Sequence, residues 1–452
     1  MEVEIISKQT LKPSSSSTNS HPKIFKNSLL DQLIPSRYAS LVLFYPNIKF
    51  QNPDVFTRLN LLKTSLSETL ACLYPLAGKI RDDLSIDCND EGACFVETRV
   101  NCSLDEFLTE PDLLSLKKFL PCEIISDESV IGTFVTNVQV NVFKCDGIAV
   151  GICLSHRIMD GDGLRMFLKM WSGNSTNKSS SEMSNFAVSG AATLFPADDL
   201  LWLRDSSNAM WGSFLKKGNF VTKRFVFYAS AIANLKDKAI ESGIISRPTR
   251  VEVVSAILWK SMAAASAELN GFRRASLLNH LVNLRRRMEP SLVENTLGNF
   301  LWIASAKQDE AAEPEFGDLA GKIREAIARI DNEFVEKMKG KEGKCVMLKS
   351  LEEGGEIGGE NGVDYFVFSS WCNFGYYDVG DFGWGEPVWV SGVGGVGGAN
   401  SMFFNVIMLV DTKCGGGVEA WVTLDEQEMA ILERDDDIIR FASLDLSPLL
   451  NL

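Results

Sequence analysis

Only three histidines, His21, His156 and His280, occur among 452 residues. That scarcity leaves very few positions for a general base that works near neutral pH. The ten cysteines include no Cys-x-x-Cys pair, and Cys88, Cys94 and Cys102 are spaced too irregularly for a zinc site, so no metal is expected. No serine or cysteine sits in a nucleophile elbow. No run of about 18 apolar residues exists to cross a bilayer. The opening, Met1 to Ile6, lacks the basic region and apolar core of a signal peptide. A cytoplasmic protein with free thiols is the expectation. Basic residues are also short: 45 Lys and Arg against 59 Asp and Glu give a net charge of -14. Nucleic acid and anionic membranes would both repel such a chain, so the expected partners are small molecules, and a monomer is the simplest state.

What remains is a globular composition, 45% hydrophobic and 23% charged, in a chain long enough for about two or three domains. Strands are expected at 3–8, 41–45, 133–144, 147–154, 222–228, 276–284, 366–371, 388–391, 402–410 and 417–424. A hairpin is expected from 85–87 and 94–100 around Asn89-Asp90-Glu91-Gly92. Leu29 to Leu33 suggests a short helical turn. Leu59, Leu62, Leu66, Leu70 and Leu73 make one helical stripe within 54–74. Thr249 can cap a helix running to Ala265, 316–338 reads as one long charged helix, and 425–433 as another. The Gly-, Glu- and Lys-rich stretch 340–362 reads as a surface insertion. The polar, Ser-rich shift at 172–184 marks a connection between halves, giving an N-terminal domain over 1–180, a crossover over 181–220 and a C-terminal domain over 221–452.

The best position for chemistry is the junction after the apolar run Gly147 to Leu154. His156 opens a Gly- and Asp-rich turn, and Leu164, Phe167, Leu168 and Trp171 follow at helical spacing. A strand-to-helix junction holds a side chain rigidly while leaving it open to a ligand. His21, beside Pro22 in a Ser-rich loop, reads as a solvated residue, and His280 as a core histidine inside a buried strand. Asp381-Phe382-Gly383-Trp384-Gly385 is a second notable stretch, whose glycines permit an unusual backbone path. Gly392 to Gly398 offers backbone N–H groups but matches no phosphate-binding fingerprint, and reads as a flexible loop. Arg285 to Arg287 can serve an anionic ligand or salt bridges.

With both stretches in view, the chain resembles the plant BAHD acyltransferases. His156-Arg157-Ile158-Met159-Asp160-Gly161 matches their HxxxDG motif and Asp381 to Gly385 their DFGWG motif, in the family's order and separation. Tyr74 to Lys79, Asp87 to Asp90, Leu297-Gly298-Asn299 and Val418 to Val422 extend the likeness nearly end to end, and Ser370 to Gly375 is most similar to the branch that acylates alkaloids. The resemblance implies an α/β fold of two chloramphenicol-acetyltransferase-like domains, each a mixed sheet with flanking helices. A substrate channel would lie between them, with His156 at its centre. It implies an acyl-CoA co-substrate, with no permanently bound cofactor, and transfer of an acyl group to a hydroxyl of a specialised metabolite, an alkaloid alcohol first. A phenolic, terpenoid or amine acceptor, another acyl donor, or a non-catalytic binding role are the competing readings. Asp160 is expected to brace the loop, Arg285 to pair with Asp381, and Asn299, Phe403 and Phe404 to line the acyl pocket. The apolar segment Ser401 to Asn405 favours acetyl. Departures from the pattern are an extra Gly380 before Asp381, Glu386 where lysine is usual, and the Gly-rich loops.

Overall fold

The computed structural model describes residues 1–15, 21–35, 38–48, 52–122, 131–176, 188, 190–197, 201–288, 295–310, 313–340, 342–358, 362–392 and 395–451. Of the crossover expected over 181–220, residues 181–187, 189 and 198–200 lie outside them, and the rest carries the helices Gly190–Leu194 and Leu201–Ser213. Among the described residues, two large mixed sheets carry the fold, each with helices against it. No helix among them is long and apolar enough to cross a membrane.

The first sheet runs in the order Val3–Leu11, Ala93–Val100, Thr136–Val142, Ile148–Ser155, Tyr38–Tyr45 and Trp389–Ser391. Ile148–Ser155 pairs antiparallel on both sides, with Thr136–Val142 and Tyr38–Tyr45, and all eight of its residues are buried. A strand shielded on both edges and both faces reads as a continuous apolar run, which is why the sequence shows no alternation here. The helices Val55–Cys72 and Gly161–Ser175 pack together beside this sheet. Leu62, Leu66, Leu70 and Leu73 of the expected stripe are fully buried, and so are Leu164, Phe167, Leu168 and Trp171. The Trp171 indole N–H donates to the Leu62 carbonyl at 3.0 Å, so the two helices are pinned as well as packed.

The second sheet follows the order Leu301–Gln308, Ser276–Asn283, Asp364–Ser370, Val406–Asp411, Val418–Asp425, Phe220–Phe227 and Val396–Gly397, with Ser443–Leu444 also on Phe220–Phe227. Ser276–Asn283, Asp364–Ser370 and Val406–Asp411 are mutually parallel, and the remaining pairs are antiparallel. Helix Arg250–Asn270 packs beside it. Thr249 and Glu252 form a reciprocal capping box at its start, and Gly271, at φ +75°, ends it in the left-handed region. Trp389–Ser391, from the C-terminal part of the chain, completes the N-terminal sheet. The Arg224 guanidinium, paired with Glu419 at 3.1 Å and 4.9 Å from the Trp389 ring, ties that strand to the second sheet.

Several local expectations are corrected. Ser85–Asp87 and Ala93–Val100 do not form a hairpin: the first pairs with Ile24–Lys26 and Lys79–Asp82, the second with Val3–Leu11 and Thr136–Val142. The expected helix over 316–338 is two, Phe316–Ala328 and Asn332–Met338, because the Asp331 side chain caps a new start at Phe334 N. The stretch 340–362 carries the helix Gly343–Gly358, with Met347 and Leu351 buried in the core. The expected strand at 402–410 splits into Met402–Phe403 and Val406–Asp411. Val396–Gly397 of the glycine-rich loop pairs with Phe220–Phe227. His21 is not solvated: its ring stacks on Tyr74 at 4.2 Å and lies 3.4 Å from Asp90. His280 is in the core, where burial lowers its pKa to about 4.

Candidate active site

His156 follows directly on the buried strand Ile148–Ser155, and the helix Gly161–Ser175 starts five residues later. The strand is held to its end, since Ser155 N donates to the Val135 carbonyl at 2.9 Å. Asp160 is the helix N-cap, accepting from Gly163 N at 2.9 Å. The histidine is therefore fixed on one side by a sheet and on the other by a capped helix. Gly161 is required by space, because a Cβ there would lie 2.9 Å from the Phe374 and Trp371 rings.

The imidazole is part-buried, and its Nδ1 lies 3.0 Å from Asn299 Oδ1. The orientation of that amide follows from its other partners. Asn299 Nδ2 donates to the His156 carbonyl at 2.7 Å and to Asp31 Oδ1 at 2.8 Å, and a backbone carbonyl can only accept. Oδ1 must therefore be the atom facing the ring. A carbonyl oxygen in turn demands a proton on Nδ1, so the neutral ring carries its lone pair on Nε2. Burial lowers the His156 pKa from its ordinary value, against the opposing effects of its backbone hydrogen bond, the Asp160 charge and Asn299. The ring is accordingly neutral at pH 7.

Asn299 was expected on the acyl-pocket wall. It is instead fully buried, with its amide consumed by His156 and Asp31. Arg285 was expected to pair with Asp381, and the structure corrects this. Its Nη1 donates to Asp160 Oδ2 at 2.6 Å, while Nη2 donates to the Thr296 and Gly298 carbonyls at 3.2 and 2.9 Å. Asp160 Oδ2 also accepts from Phe300 N at 2.9 Å. Asp160 thus has three donors, and together with Arg285 it locks the histidine turn onto the 296–300 segment that carries Asn299.

Asp381 instead accepts from Gly383 N and Gly385 N, at 2.8 and 3.0 Å, closing its own turn. Gly383 and Gly385 both have positive φ, +101° and +103°, which is the use of those two glycines. Phe382 packs edge-on against Trp171 at 4.9 Å and stacks on Trp384 at 5.7 Å. Its carbonyl accepts from Ser175 Oγ at the last residue of helix Gly161–Ser175. The helix rise puts that end about 20 Å from the histidine turn. Gly380 accepts from the Tyr45 hydroxyl at 2.6 Å, and Glu386 forms an ion pair with Lys413. Phe403 is buried and stacked on Phe220 at 5.1 Å, and Phe404 packs beside Trp211. Arg287 binds the Asn283 and Ile330 carbonyls.

Asp31 is the site residue that the sequence did not mark. It lies 268 positions before Asn299, on the short helix Leu29–Gln32, and nothing in local spacing joins the two. Among the described residues, no group of three His, Cys, Asp or Glu is placed to hold a metal ion.

The arrangement can accept a proton at Nε2 from a group brought to it. A family model described as "Transferase family" matches residues 1–438. An epi-neemfruitin B 7-O-acetyltransferase of Melia azedarach is 42% identical, covering 99% of this chain and 100% of that one. Stemmadenine O-acetyltransferase of Catharanthus roseus is 32% identical over 96% of this chain and 97% of its own. The crystal structure of vinorine synthase aligns with a TM-score of 0.80 at 30% identity, covering 98% of this chain and 99% of that one.

Proposed function

The chain belongs to the Transferase family of BAHD acyl-CoA-dependent acyltransferases, and on that premise we propose that it transfers an acetyl group from acetyl-CoA to a hydroxyl of a plant specialised metabolite, with His156 as the base. The observation that carries this reading is the Asn299 amide, whose fixed orientation leaves Nε2 as the free lone pair. An alcohol is a poor nucleophile at neutral pH. With Nε2 in reach, its proton moves to the imidazole as the oxygen attacks the thioester carbonyl. The tetrahedral oxyanion collapses, the C–S bond breaks, and the imidazolium returns the proton to the departing thiolate. No covalent enzyme intermediate is needed. Asp160 braces the loop: its oxygens are occupied by Gly163 N, Arg285 and Phe300 N.

A limonoid alcohol is the first acceptor to test, supported by the limonoid 7-O-acetyltransferase of Citrus sinensis, 40% identical over 99% of this chain and 100% of its own. An alkaloid alcohol is the second, supported by the stemmadenine relative. The test is thiol release from acetyl-CoA, with each alcohol in turn and the products read by mass spectrometry. Release with neither class by folded protein would sink the proposed acceptors, and release with propionyl- or malonyl-CoA alone would sink acetyl.

Two outcomes follow from the geometry. The base must be neutral to act, so activity is present above its pKa and lost as pH falls through it. Since burial lowers that pKa, the acid limb of kcat/KM is expected below the ordinary histidine value of 6.5. Asn299→Ala frees Nδ1 to lose its proton to the other tautomer, and kcat is expected to fall by about 10- to 100-fold. KM for acetyl-CoA should change little. Steady-state kinetics across pH 5–8 on both proteins checks both.

A further inference from the structure

We propose that Asp31 is a positioning residue for acyl transfer: its buried carboxylate holds Asn299 so that the amide oxygen meets His156 Nδ1–H, and its negative charge supports the imidazolium formed during the reaction. This rests on reading His156 as the base. Asp31 is fully buried in the short helix Leu29–Gln32, whose capping box it shares with Ser28. Oδ1 accepts from Asn299 N at 2.7 Å and Asn299 Nδ2 at 2.8 Å, and Oδ2 from Ser28 N at 2.8 Å and Ser28 Oγ at 2.6 Å. All four partners donate, and three of them can do nothing else, so the site is built for the ionised form. A helix cap needs only Ser28. The two bonds to Asn299 reach across 268 residues to the one amide that sets the histidine's tautomer.

Ionising this carboxylate is costly: burial raises its pKa to about 6, against the hydrogen bonds from Ser28 and Asn299. The sign matters. A carboxyl whose folded pKa is raised favours the fold below its ordinary pKa, and that contribution is lost as pH rises through about 6. Near neutral pH the fold therefore holds a charge that disfavours it, one hydrogen-bonded amide away from the reacting ring. The other charged groups nearby are already occupied. Asp160 is bound by Arg285, Asp162 by Arg165 and Asn283, and Arg157 by Asp83. Among the described residues, Asn299 is the one link from Asp31 toward His156.

Asp31→Asn tests the charge while keeping the shape, since the amide oxygen can still accept from Asn299. The expected result is folded protein with kcat reduced about tenfold, a modest share of the roughly 10²–10⁴ a general base supplies. KM for acetyl-CoA should be unchanged, and the acid limb of the pH profile displaced. With only three histidines, ¹⁵N-histidine spectra can follow His156 directly, and its titration is expected to move about half a pH unit lower. Ser28→Ala is the second variant. It removes one donor from Oδ2 and leaves Asp31 in place, so Asp31 should take up its proton, and activity should decline, at higher pH than in the wild type. Wild-type kcat with an unmoved His156 titration in Asp31→Asn, or an unmoved profile in Ser28→Ala should Asp31→Asn fail to fold, overturns the proposal. His156→Ala assayed alongside separates the two readings: if it retains turnover the base assignment fails, and if it is inactive while Asp31→Asn is normal, only the role of Asp31 fails.

Discussion

His156→Ala is expected to fold normally and to lose acyl transfer by about 10²–10⁴-fold in kcat. That is about 3–5.5 kcal/mol of transition-state stabilisation at 1.36 kcal/mol per tenfold. The fold should survive because the loop is held by other atoms. Asp160 keeps Gly163 N, Phe300 N and Arg285, and Asn299 keeps Asp31 and the backbone carbonyl at 156. The lost bond is one neutral hydrogen bond to Asn299 Oδ1, worth about 1 kcal/mol. Circular dichroism and thermal melting should therefore stay close to wild type while thiol release from acetyl-CoA falls to background. No other histidine can substitute. His280 is buried among core residues, and His21 stacks on Tyr74 beside Asp90. Near wild-type turnover in folded His156→Ala would mean that the proton leaves by another route, and the proposed chemistry would fall with it.

Much of this site was legible because its parts are local. The strand before His156 is an unbroken apolar run, and the helix after it shows its buried face in Leu164, Phe167, Leu168 and Trp171, all fully buried. The Thr249 cap likewise needs only its own next turn. What sequence could not carry is partner choice between distant segments. Asn89 to Gly92 has turn chemistry, and Asp90 and Gly92 do take positive φ, yet turn chemistry does not say which strand Ser85–Asp87 will meet. Arg285 had two aspartates to choose from. Asp381 turned out to be occupied by the N–H groups of its own glycine turn, which spacing alone does not reveal. Glycine content made 340–362 look like a loop, but Met347 and Leu351, one helical turn apart, bury enough apolar surface to hold a helix against the core. Asp31 is the extreme case. In its own helix it is an ordinary capping-box aspartate, and it becomes part of the site only when Asn299 arrives from the other half of the chain.

Arg285→Ala is expected to give the largest loss of stability of any single change near the site, about 3–5 kcal/mol, the range for removing one partner of a buried ion pair. Asp160 and Arg285 are both buried, 2.6 Å apart. Without the guanidinium, Asp160 remains an uncompensated carboxylate with two backbone donors, and the Thr296 and Gly298 carbonyls lose their shared donor. The Phe300 ring also loses the cation 4.4 Å from its centre. Asp160→Asn strands the Arg285 guanidinium in turn but should cost less, because that cation keeps the Thr296 and Gly298 carbonyls and the amide leaves an oxygen for the helix cap. The double variant should be less damaged than the sum of the singles, since a neutral amide in place of the Asp160 carboxylate leaves no charge stranded when Arg285 is removed. Urea unfolding of the four proteins measures this coupling. Activity then decides what the pair is for. If it braces the loop, kcat in Asp160→Asn should fall in step with the loosening of 296–300, and the pH profile of whatever activity remains should keep the wild-type shape. If Asp160→Asn instead matched His156→Ala in kcat while remaining as stable as wild type, the carboxylate would be acting on the imidazole itself, and the brace would be the wrong account of the motif's aspartate.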